Sequence, residues 1–250
     1  MMRFYSIILS ILTLLSCCYG EQSGNVLFIG NSFTYFNNMP TILKSLASEN
    51  GKSIHADKAT KGGYSIIKHS KDSKTLDAIA AKKWDIVVLQ GHSLEAITNK
   101  KTMIEGGEEL ANKCKGSKIF LFATWAYQSE SRFIKKSRKS IVGKLSDVEK
   151  KKMFKNMGEV IYEGYDELAK KINARVIPVG FAWDISNKKF PDINLYSKDQ
   201  YHPSKDGSYL TALVFYRAIY GELPKKVVSE LTSKSVHENM LLVVEETFKN

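Results

Sequence analysis

The feature that most constrains this chain is the alternation of short apolar runs with segments of helical spacing. The strand-like runs are residues 25–30, 84–89, 118–123 and 175–179, and residues 53–59 predict a weaker second strand. Apolar residues spaced three or four apart predict helices over residues 40–50, 76–81, 102–115, 148–171, 208–220 and 236–248. Strands and helices that alternate through short connections form right-handed βαβ units. The pattern therefore predicts an α/β fold with a parallel sheet and helices on both faces.

Composition limits the class of protein. The chain has 250 residues, of which 43% are hydrophobic, so it can bury the core of one ordinary domain and is not globally disordered. Its three cysteines exclude a disulfide scaffold and a four-cysteine zinc site. Cys114 lies deep in the predicted domain and is expected to be a small buried hydrophobe. The histidines show no metal-ligand spacing, so we expect no metal.

Residues 1–20 are predicted to be a secretory signal segment, and residues 21–250 a single domain. An arginine follows the start, residues 4–15 are almost wholly apolar, and small residues come next. Residues 14–17 resemble a bacterial lipobox, which would make Cys17 lipidated and attach the protein to a membrane. Residues 18–20 instead fit a signal peptidase site that releases a soluble chain from Glu21. The sequence does not decide between these two cleavage sites, and an uncleaved anchor helix is a third possibility. Each alternative predicts a protein outside the cytoplasm, which is secreted, periplasmic or anchored to a membrane.

The net charge of +11 is concentrated in one segment. Residues 130–152 are rich in Lys, Arg and Ser, and this segment is predicted to be an inserted loop near the ligand-binding edge of the sheet. The charge is either a contact for an anionic polysaccharide or membrane surface, or a solvated lysine-rich face. Nucleic acid is not an expected partner, because no recognition motif is present and the signal segment directs the chain elsewhere. The basic residues are Arg132, Lys135, Lys136, Arg138, Lys139, Lys144, Lys150, Lys151, Lys152 and Lys155.

Two polar groups of residues could carry chemistry. Ser32 follows the first strand directly, at the edge of the sheet where helix N-termini favour negative charge. Asp199 precedes His202 by three residues in a loop after the last strand, a spacing that lets the carboxylate orient the imidazole. Considered alone, Ser32 is more typical of a residue that caps a helix. The Asp–His pair, considered alone, fits a surface turn that precedes a helix cap at Ser204. Together they map to the same sheet edge and predict a serine nucleophile with its base.

These residues resemble the conserved blocks of a known family. Gly30-Asn31-Ser32, residues 62–63 (Gly-Gly) and residues 199–203 (Asp-Gln-Tyr-His-Pro) are similar to blocks one, two and five of the SGNH (GDSL-like) hydrolases. The resemblance is strongest to a bacterial subgroup with a Gly-Asn-Ser-Phe-Thr start and a late DxxHPS segment. It implies a three-layer α/β/α sandwich of the flavodoxin-like SGNH type with roughly five strands. It also implies ester hydrolysis through an acyl-serine intermediate, without a cofactor.

The resemblance assigns roles to particular residues. Ser32 is the implied nucleophile, His202 the general base and acid, and Asp199 the residue that orients the histidine. The oxyanion hole is expected to use the backbone N–H of Ser32 and of Gly63, with Gly62 as the alternative register. A glycine suits this place because the backbone can approach the substrate closely.

Block three departs from the family pattern. The family commonly has an asparagine there that donates to the oxyanion, but this chain reads Leu-Gln-Gly-His-Ser over residues 89–93. Gln90 or Ser93 is expected to supply the missing donor, since losing one donor typically costs about 100- to 1000-fold in turnover. The remaining candidates are substrate contacts, namely Asn31, His92 and Trp125. Trp125, Tyr127 and Trp183 follow strands near this edge, and for each of them packing over the sheet is at least as good an explanation as contact with a substrate.

The sequence therefore predicts an esterase that removes small acyl groups, acetyl first, from a carbohydrate. The acyl preference comes from the resemblance and from the lack of an evident apolar lid. Two alternatives stay open: a lipase or thioesterase for longer acyl chains, and a glycan-binding protein that has lost catalysis with the block-three asparagine. A flavodoxin-like cofactor module is disfavoured, because no glycine-rich phosphate loop follows the first strand.

Overall fold

A computed structural model describes residues 24–92, 94–128 and 156–249 of the chain. Within these ranges five parallel strands form one sheet in the order β2-β1-β3-β4-β5. The predicted signal segment, Ser93 and the basic residues from Arg132 to Lys155 lie outside the described ranges. The strands are β1 (Gly24–Gly30), β2 (Ile54–Thr60), β3 (Ile86–Leu89), β4 (Lys118–Phe122) and β5 (Arg175–Ile177).

Helices connect and cover these strands. Two short turns, α1 (Ser32–Tyr35) and a 3₁₀ turn (Phe36–Asn38), precede the longer helix α2 (Met39–Glu49). A search of the described helices finds none long and apolar enough to cross a membrane. The others are α3 (Ile66–Lys71), α4 (Ser73–Ala80), α5 (Glu95–Thr98), α6 (Lys100–Lys113), α7 (Met157–Ile172), α8 (Val179–Lys189), α9 (Lys205–Tyr220) and α10 (Lys234–Thr247).

Each face of the sheet is buried by its own layer of helices. Val26 and Phe28 of β1 join a core with α2, α8, α9 and α10, whereas Leu27 and Ile29 join a second core with α3, α4, α6 and α7. A strand that is buried on both faces has a continuous apolar run in its sequence, as β1, β3 and β4 do over residues 26–29, 86–89 and 119–122. The predicted three-layer α/β/α sandwich with five parallel strands is confirmed.

The fifth strand and the helix after it differ from the sequence-based expectation. The strand was expected to continue through Val179, but it ends at Ile177. Pro178 has no N–H to donate to a ladder, and α8 begins directly after it. Helix α8 escaped prediction although its buried residues recur at helical spacing: Val179, Ala182, Trp183 and Ser186.

The order of the strands places a crevice between β1 and β3. Helix α2, which follows β1, packs on one face of the sheet, and α6, which follows β3, packs on the other. Chain segments that leave two neighbouring strands toward opposite faces open a gap at the carboxyl ends of those strands, where ligands bind in such folds. Ser32 follows β1 and His92 follows β3, so both lie beside this crevice.

Candidate active site

A tight turn places Ser32 at the end of β1. Asn31 caps α1, its side-chain oxygen accepting the N–H of Phe33 at 3.2 Å. Gly30 must be a glycine, because a Cβ there would lie 2.5 Å from Thr34 Oγ1 and 2.7 Å from Gln90 Oε1. The local sequence thus sets Ser32 as the first helical residue beyond the sheet edge.

The structure brings together three residues that lie far apart in the sequence. Ser32 Oγ lies 2.8 Å from His202 Nε2, across 170 positions of the chain. On the other side of the ring, His202 Nδ1 lies 2.7 Å from Asp199 Oδ2. Both distances are those of hydrogen bonds, and the arrangement has the geometry of a nucleophile, a base and an orienting carboxylate.

The Asp199 carboxylate is held by four donors. Its Oδ1 accepts from the backbone N–H of His202 (2.9 Å) and Tyr201 (3.2 Å) and from the Ser197 hydroxyl (2.7 Å). Burial acts to raise the pKa of Asp199, but the hydrogen bonds from His202 and Ser197 outweigh it and lower this pKa to about 2. An ionised carboxylate only accepts, so Nδ1 of His202 carries the proton and Nε2 presents its lone pair to Ser32.

The loop that carries Asp199 and His202 is closed on itself. Ser197 N–H donates to His202 O at 2.8 Å, and Tyr196 and Pro203 form an isolated antiparallel bridge. Gln200 adopts a left-handed conformation with φ of 65°, which lets the chain turn between the two functional residues. This closed turn fixes the separation of the carboxylate from the ring.

Aromatic rings hold His202 in place. Phe36 stacks on the imidazole with ring centres 4.1 Å apart and planes within 3°, and Tyr201 lies tilted at 4.1 Å. Phe33 meets the ring edge at 5.6 Å. Only 12% of the His202 side chain is exposed. The ring therefore has little freedom to rotate away from Ser32.

Asn37 joins the serine segment directly to the histidine loop. Its Nδ2 donates to Pro203 O at 3.1 Å, to Ser204 O at 2.8 Å and to Ser208 Oγ at 2.9 Å. Asn37 has a φ of 49°, a conformation that asparagine tolerates better than most residues. The Ser32–His202 distance is thus supported by a second contact between the same two segments.

A cleft of about 280 Å³ opens in front of the triad. Gly63, with φ of 68°, and Gly62 form one wall. A larger groove of about 860 Å³ lies at the opposite edge of the sheet, beside Lys118 and Arg175, and contains none of the three residues. The described residues contain no cluster of three or more His, Cys, Asp or Glu able to hold a metal. The cleft is lined by Asn31, Ser32, Phe33, Tyr35, Phe36, Gly62, Gly63, His92, Tyr127, Tyr201 and His202.

Solved structures resemble this chain over most of its length. A protein assigned to the SGNH hydrolases from Slackia heliotrinireducens is 25% identical, with a TM-score of 0.62 over 79% of this chain and 99% of its own. A DUF4886 family protein from Bacteroides uniformis has a TM-score of 0.71 at 18% identity, over 91% and 95% of the two chains. The lipase/acylhydrolase from Enterococcus faecalis has a TM-score of 0.56 at 17% identity, over 82% and 100%.

The chain belongs to the SGNH hydrolase superfamily. Neither a protein-family model nor a curated protein matches its sequence. As an SGNH hydrolase it is a carboxylic ester hydrolase, so the sequence-based predictions of superfamily and of enzyme class are confirmed.

The prediction that Gln90 donates to the oxyanion in this SGNH hydrolase is wrong. Gln90 is buried, and its Oε1 accepts from Asn31 N–H at 2.9 Å and from Thr34 Oγ1 at 3.0 Å. Its Nε2 donates to Gly91 O. Because both ends of the amide are engaged inside the protein, Gln90 supports the turn before Ser32 instead. Ser93, the other candidate, lies outside the described residues.

Asn31 borders the cleft but its side chain is engaged inside the protein, and the expected substrate contact of Trp125 needs correction. Asn31 is 3% exposed, and its Nδ2 donates to Tyr64 O at 3.0 Å and to Gly91 O at 2.9 Å. It therefore ties the loops after β1, β2 and β3 together. Trp125 is fully buried, stacked on Trp183 at 3.8 Å and on Phe33 at 4.6 Å. It packs beneath the site, as the alternative reading of this residue predicted.

Besides His202, two histidines lie near the active site, and their surroundings differ. His92 lines the cleft, and burial together with the nearby Lys68 lowers its pKa, which favours a neutral ring. His69 is buried, with Nε2 2.9 Å from Gly30 O and Nδ1 2.9 Å from Thr75 Oγ1. His69 thus supports the end of β1, whereas His92 stays a candidate for substrate contact.

Several residues that build this SGNH hydrolase site escaped sequence reasoning. The asparagine pair at residues 37–38 was a usable signal, because asparagine is favoured where φ is positive. Phe36 gave no comparable signal, since an aromatic after a short turn reads equally well as core. Glu95 reads as an ordinary charged helix residue, yet it is 1% exposed.

Proposed function

We propose that this SGNH hydrolase removes small acyl groups, acetyl first, from a carbohydrate through an acyl-serine intermediate at Ser32. The observation that carries the proposal is the continuous hydrogen-bond chain from Ser32 Oγ through His202 to Asp199, with distances of 2.8 and 2.7 Å. The chain opens on the small cleft described above.

Acylation follows from this arrangement. Ser32 Oγ attacks the ester carbonyl carbon while His202 Nε2 takes the hydroxyl proton, and Asp199 stabilises the imidazolium that forms. The carbonyl oxygen becomes an oxyanion, which the backbone N–H groups of Ser32 and Gly63 stabilise. When the carbon–oxygen bond to the alcohol breaks, His202 returns the proton to the leaving oxygen. The product alcohol departs and the acyl group stays on Ser32.

Deacylation repeats the same proton path with water. Water attacks the acyl carbonyl carbon as His202 Nε2 takes one of its protons, and the second oxyanion forms in the same place. Ser32 Oγ then leaves with that proton, which restores the free enzyme and releases the carboxylic acid. The chemistry needs no group beyond these residues and water.

The cleft supports a small acyl group. Its volume of about 280 Å³ lies just below the range that is usual for small-molecule sites, roughly 300 to 1,000 Å³. Buried Phe33 and the 7% exposed Tyr127 line it, while Tyr35 and Tyr201 are partly exposed at its walls. Aromatic walls suit a sugar ring beside the ester, and a long acyl chain would extend beyond the cleft.

The mechanism is tested with a chromogenic acetyl ester and the variant Ser32→Ala. Without Oγ no acyl-enzyme forms, so turnover should fall by at least about 1,000-fold. Ser48→Ala, at an exposed position on α2, is the matched control and should keep wild-type turnover. Equal turnover by Ser32→Ala and wild type would refute the role of Ser32.

Substrate class needs a second experiment. A series of esters from acetyl to octanoyl should show kcat/KM falling with chain length, whereas a rise toward octanoyl would favour the lipase or thioesterase reading. Acetylated oligosaccharides should release acetate faster than simple alkyl acetates. Glycan binding without turnover, and without fluorophosphonate labelling of Ser32, would instead support a binding protein.

We also propose that the protein acts outside the cytoplasm, from the signal predicted in residues 1–20, and that its basic segment contacts an anionic glycan. Cell fractionation with a Cys17→Ser variant tests the first idea: loss of membrane association identifies a lipoprotein. Replacing Lys135, Lys136 and Lys139 with Gln tests the second. KM should then rise for an anionic glycan ester and stay unchanged for a neutral one.

A further inference from the structure

A buried carboxyl group lies next to His92, one of the residues that line the cleft. Glu95, the first residue of α5, is 1% exposed. Its Oε2 accepts from the backbone N–H of Ile66 at 3.0 Å and from the backbone N–H of His92 at 3.0 Å. One oxygen therefore joins the start of α3 to the loop that follows β3.

Both residues that donate to Glu95 belong to chain segments that line the cleft. Ile66 begins α3 three residues after Gly63, and His92 itself lines the cleft. Glu95 holds His92 twice, because its own N–H also donates to His92 O at 2.7 Å. The carboxylate thus sets the distance between the loop of Gly63 and the loop of His92, both of which line the cleft with Ser32.

The surroundings are shaped to admit this carboxylate. A Cβ at Gly91 would overlap Glu95 Oε2, and the Gly91 N–H is taken by Tyr165 Oη at 2.9 Å. The second oxygen, Oε1, is buried and finds no hydrogen-bond partner in the described part of the chain. Burying a carboxyl group costs free energy, and the N–H groups of Ile66 and His92 repay only part of that cost at Oε2, so the residue is placed where one acceptor must serve both loops.

We propose that Glu95 is a positioning residue for ester hydrolysis, whose carboxylate holds the loops of Gly63 and His92 in register with Ser32. The inference rests on the proposed function. Glu95 does not line the cleft and acts through the two backbone groups that it binds.

The proposed role of Glu95 predicts a pH dependence, because the carboxyl group titrates near neutral pH. Burial, only partly offset by the hydrogen bonds from Ile66 and His92, raises the pKa of Glu95 to about 7. The charged or titratable groups around it are Lys68 on α3, Tyr165 on α7 and His92 in its own loop. Because this pKa lies above that of a hydrated carboxyl group, opening of the two loops is disfavoured while Glu95 is protonated and becomes easier as it ionises above neutral pH.

The test compares wild type with Glu95→Gln near pH 8.5 and near pH 5.5, using the acetyl ester. Glutamine keeps the size and one acceptor oxygen but never ionises. At the higher pH, where wild type is ionised, kcat of Glu95→Gln should be about tenfold higher than that of wild type with KM changed less than about twofold, because loops that open more readily in wild type slow the chemical step. At the lower pH, where wild type is also protonated, the two kcat values should agree within about twofold. Glu108→Gln, exposed on α6, is the matched control and should follow wild type at both pH values.

Two results would overturn the inference: equal kcat for Glu95→Gln and wild type at both pH values, or the same ratio at both. Should Glu95→Gln fail to fold, amide hydrogen exchange of the wild type decides. Protection of the Ile66 and His92 amides should drop between the lower and the higher pH more than protection of the Gly91 amide, and the absence of such a drop refutes the idea. Ser32→Ala separates the two proposals, since activity without Ser32 contradicts the proposed function, whereas a silent Glu95→Gln contradicts only this inference.

Discussion

The substitution Asp199→Asn probes the site most directly, because it changes one atom without changing the size of the side chain. In the wild type, Oδ1 accepts from the His202 N–H, the Tyr201 N–H and the Ser197 hydroxyl, and the one donor to Oδ2 among the described residues is the His202 ring. Two of the three donors at Oδ1 are backbone N–H groups that cannot turn away. An asparagine therefore keeps its oxygen there and points its NH₂ group at the imidazole.

This orientation of the asparagine would move the proton of His202 from one ring nitrogen to the other. An NH₂ group only donates, so Nδ1 must accept and the proton moves to Nε2, which lies 2.8 Å from Ser32 Oγ. A protonated Nε2 cannot take the serine proton. In a serine protease the same change lowers kcat about 10⁴-fold, which corresponds to ~5 kcal/mol of activation free energy. We expect a loss of this size here, with KM changed little.

The assay is steady-state hydrolysis of the chromogenic acetyl ester, with circular dichroism to verify folding. Asp192→Asn, exposed in the same loop region, removes an equal charge and should keep wild-type kcat. A kcat for Asp199→Asn within tenfold of wild type would refute the argument from the proton position on His202.

Three further predictions follow from other contacts. Phe36→Leu removes the ring that stacks on His202 at 4.1 Å, so kcat should fall by roughly 10- to 100-fold in the same assay while KM changes little. Trp125→Ala should lower the free energy of unfolding by about 3–5 kcal/mol in urea titrations, whereas Trp125→Phe should leave KM unchanged, because Trp125 is core. Burial raises the pKa of Glu95 from 4.5 to about 7, so the folded protein retains a proton that the unfolded chain releases. The free energy of unfolding should therefore fall by about 2–3 kcal/mol between pH 5 and 8 relative to Glu95→Gln, and a rise would contradict the assignment.

The layers of the fold were predictable because burial on both faces leaves a strong mark on a strand. Residues 86–89 are apolar without alternation, and they form β3. Helix α8 was missed because Pro178 sits where a strand was expected to continue, and the apolar spacing from Val179 onward is short. Local composition at such a junction favours neither structure decisively.

The site was predictable where function demands a particular residue type after a particular strand. Ser32, Asp199 and His202 follow such a pattern, and the structure places them in contact. The block-three residues were harder, because Gln90 has the right chemistry for a donor but points its amide into the turn before Ser32. The direction of a side chain depends on partners that local sequence does not reveal.

The sequence by itself determined most of the strand and helix pattern, the three candidate catalytic residues and the resemblance to the superfamily. Only the tertiary structure showed which polar side chains near the site make their hydrogen bonds to other groups of the protein rather than to a substrate. Asn31 bonds to Tyr64 and Gly91, and Glu95 bonds to Ile66 and His92, over separations of up to 60 positions. The physical reason is that apolar periodicity reports burial along one segment, whereas a hydrogen bond needs two groups that meet only when distant loops fold to the same sheet edge.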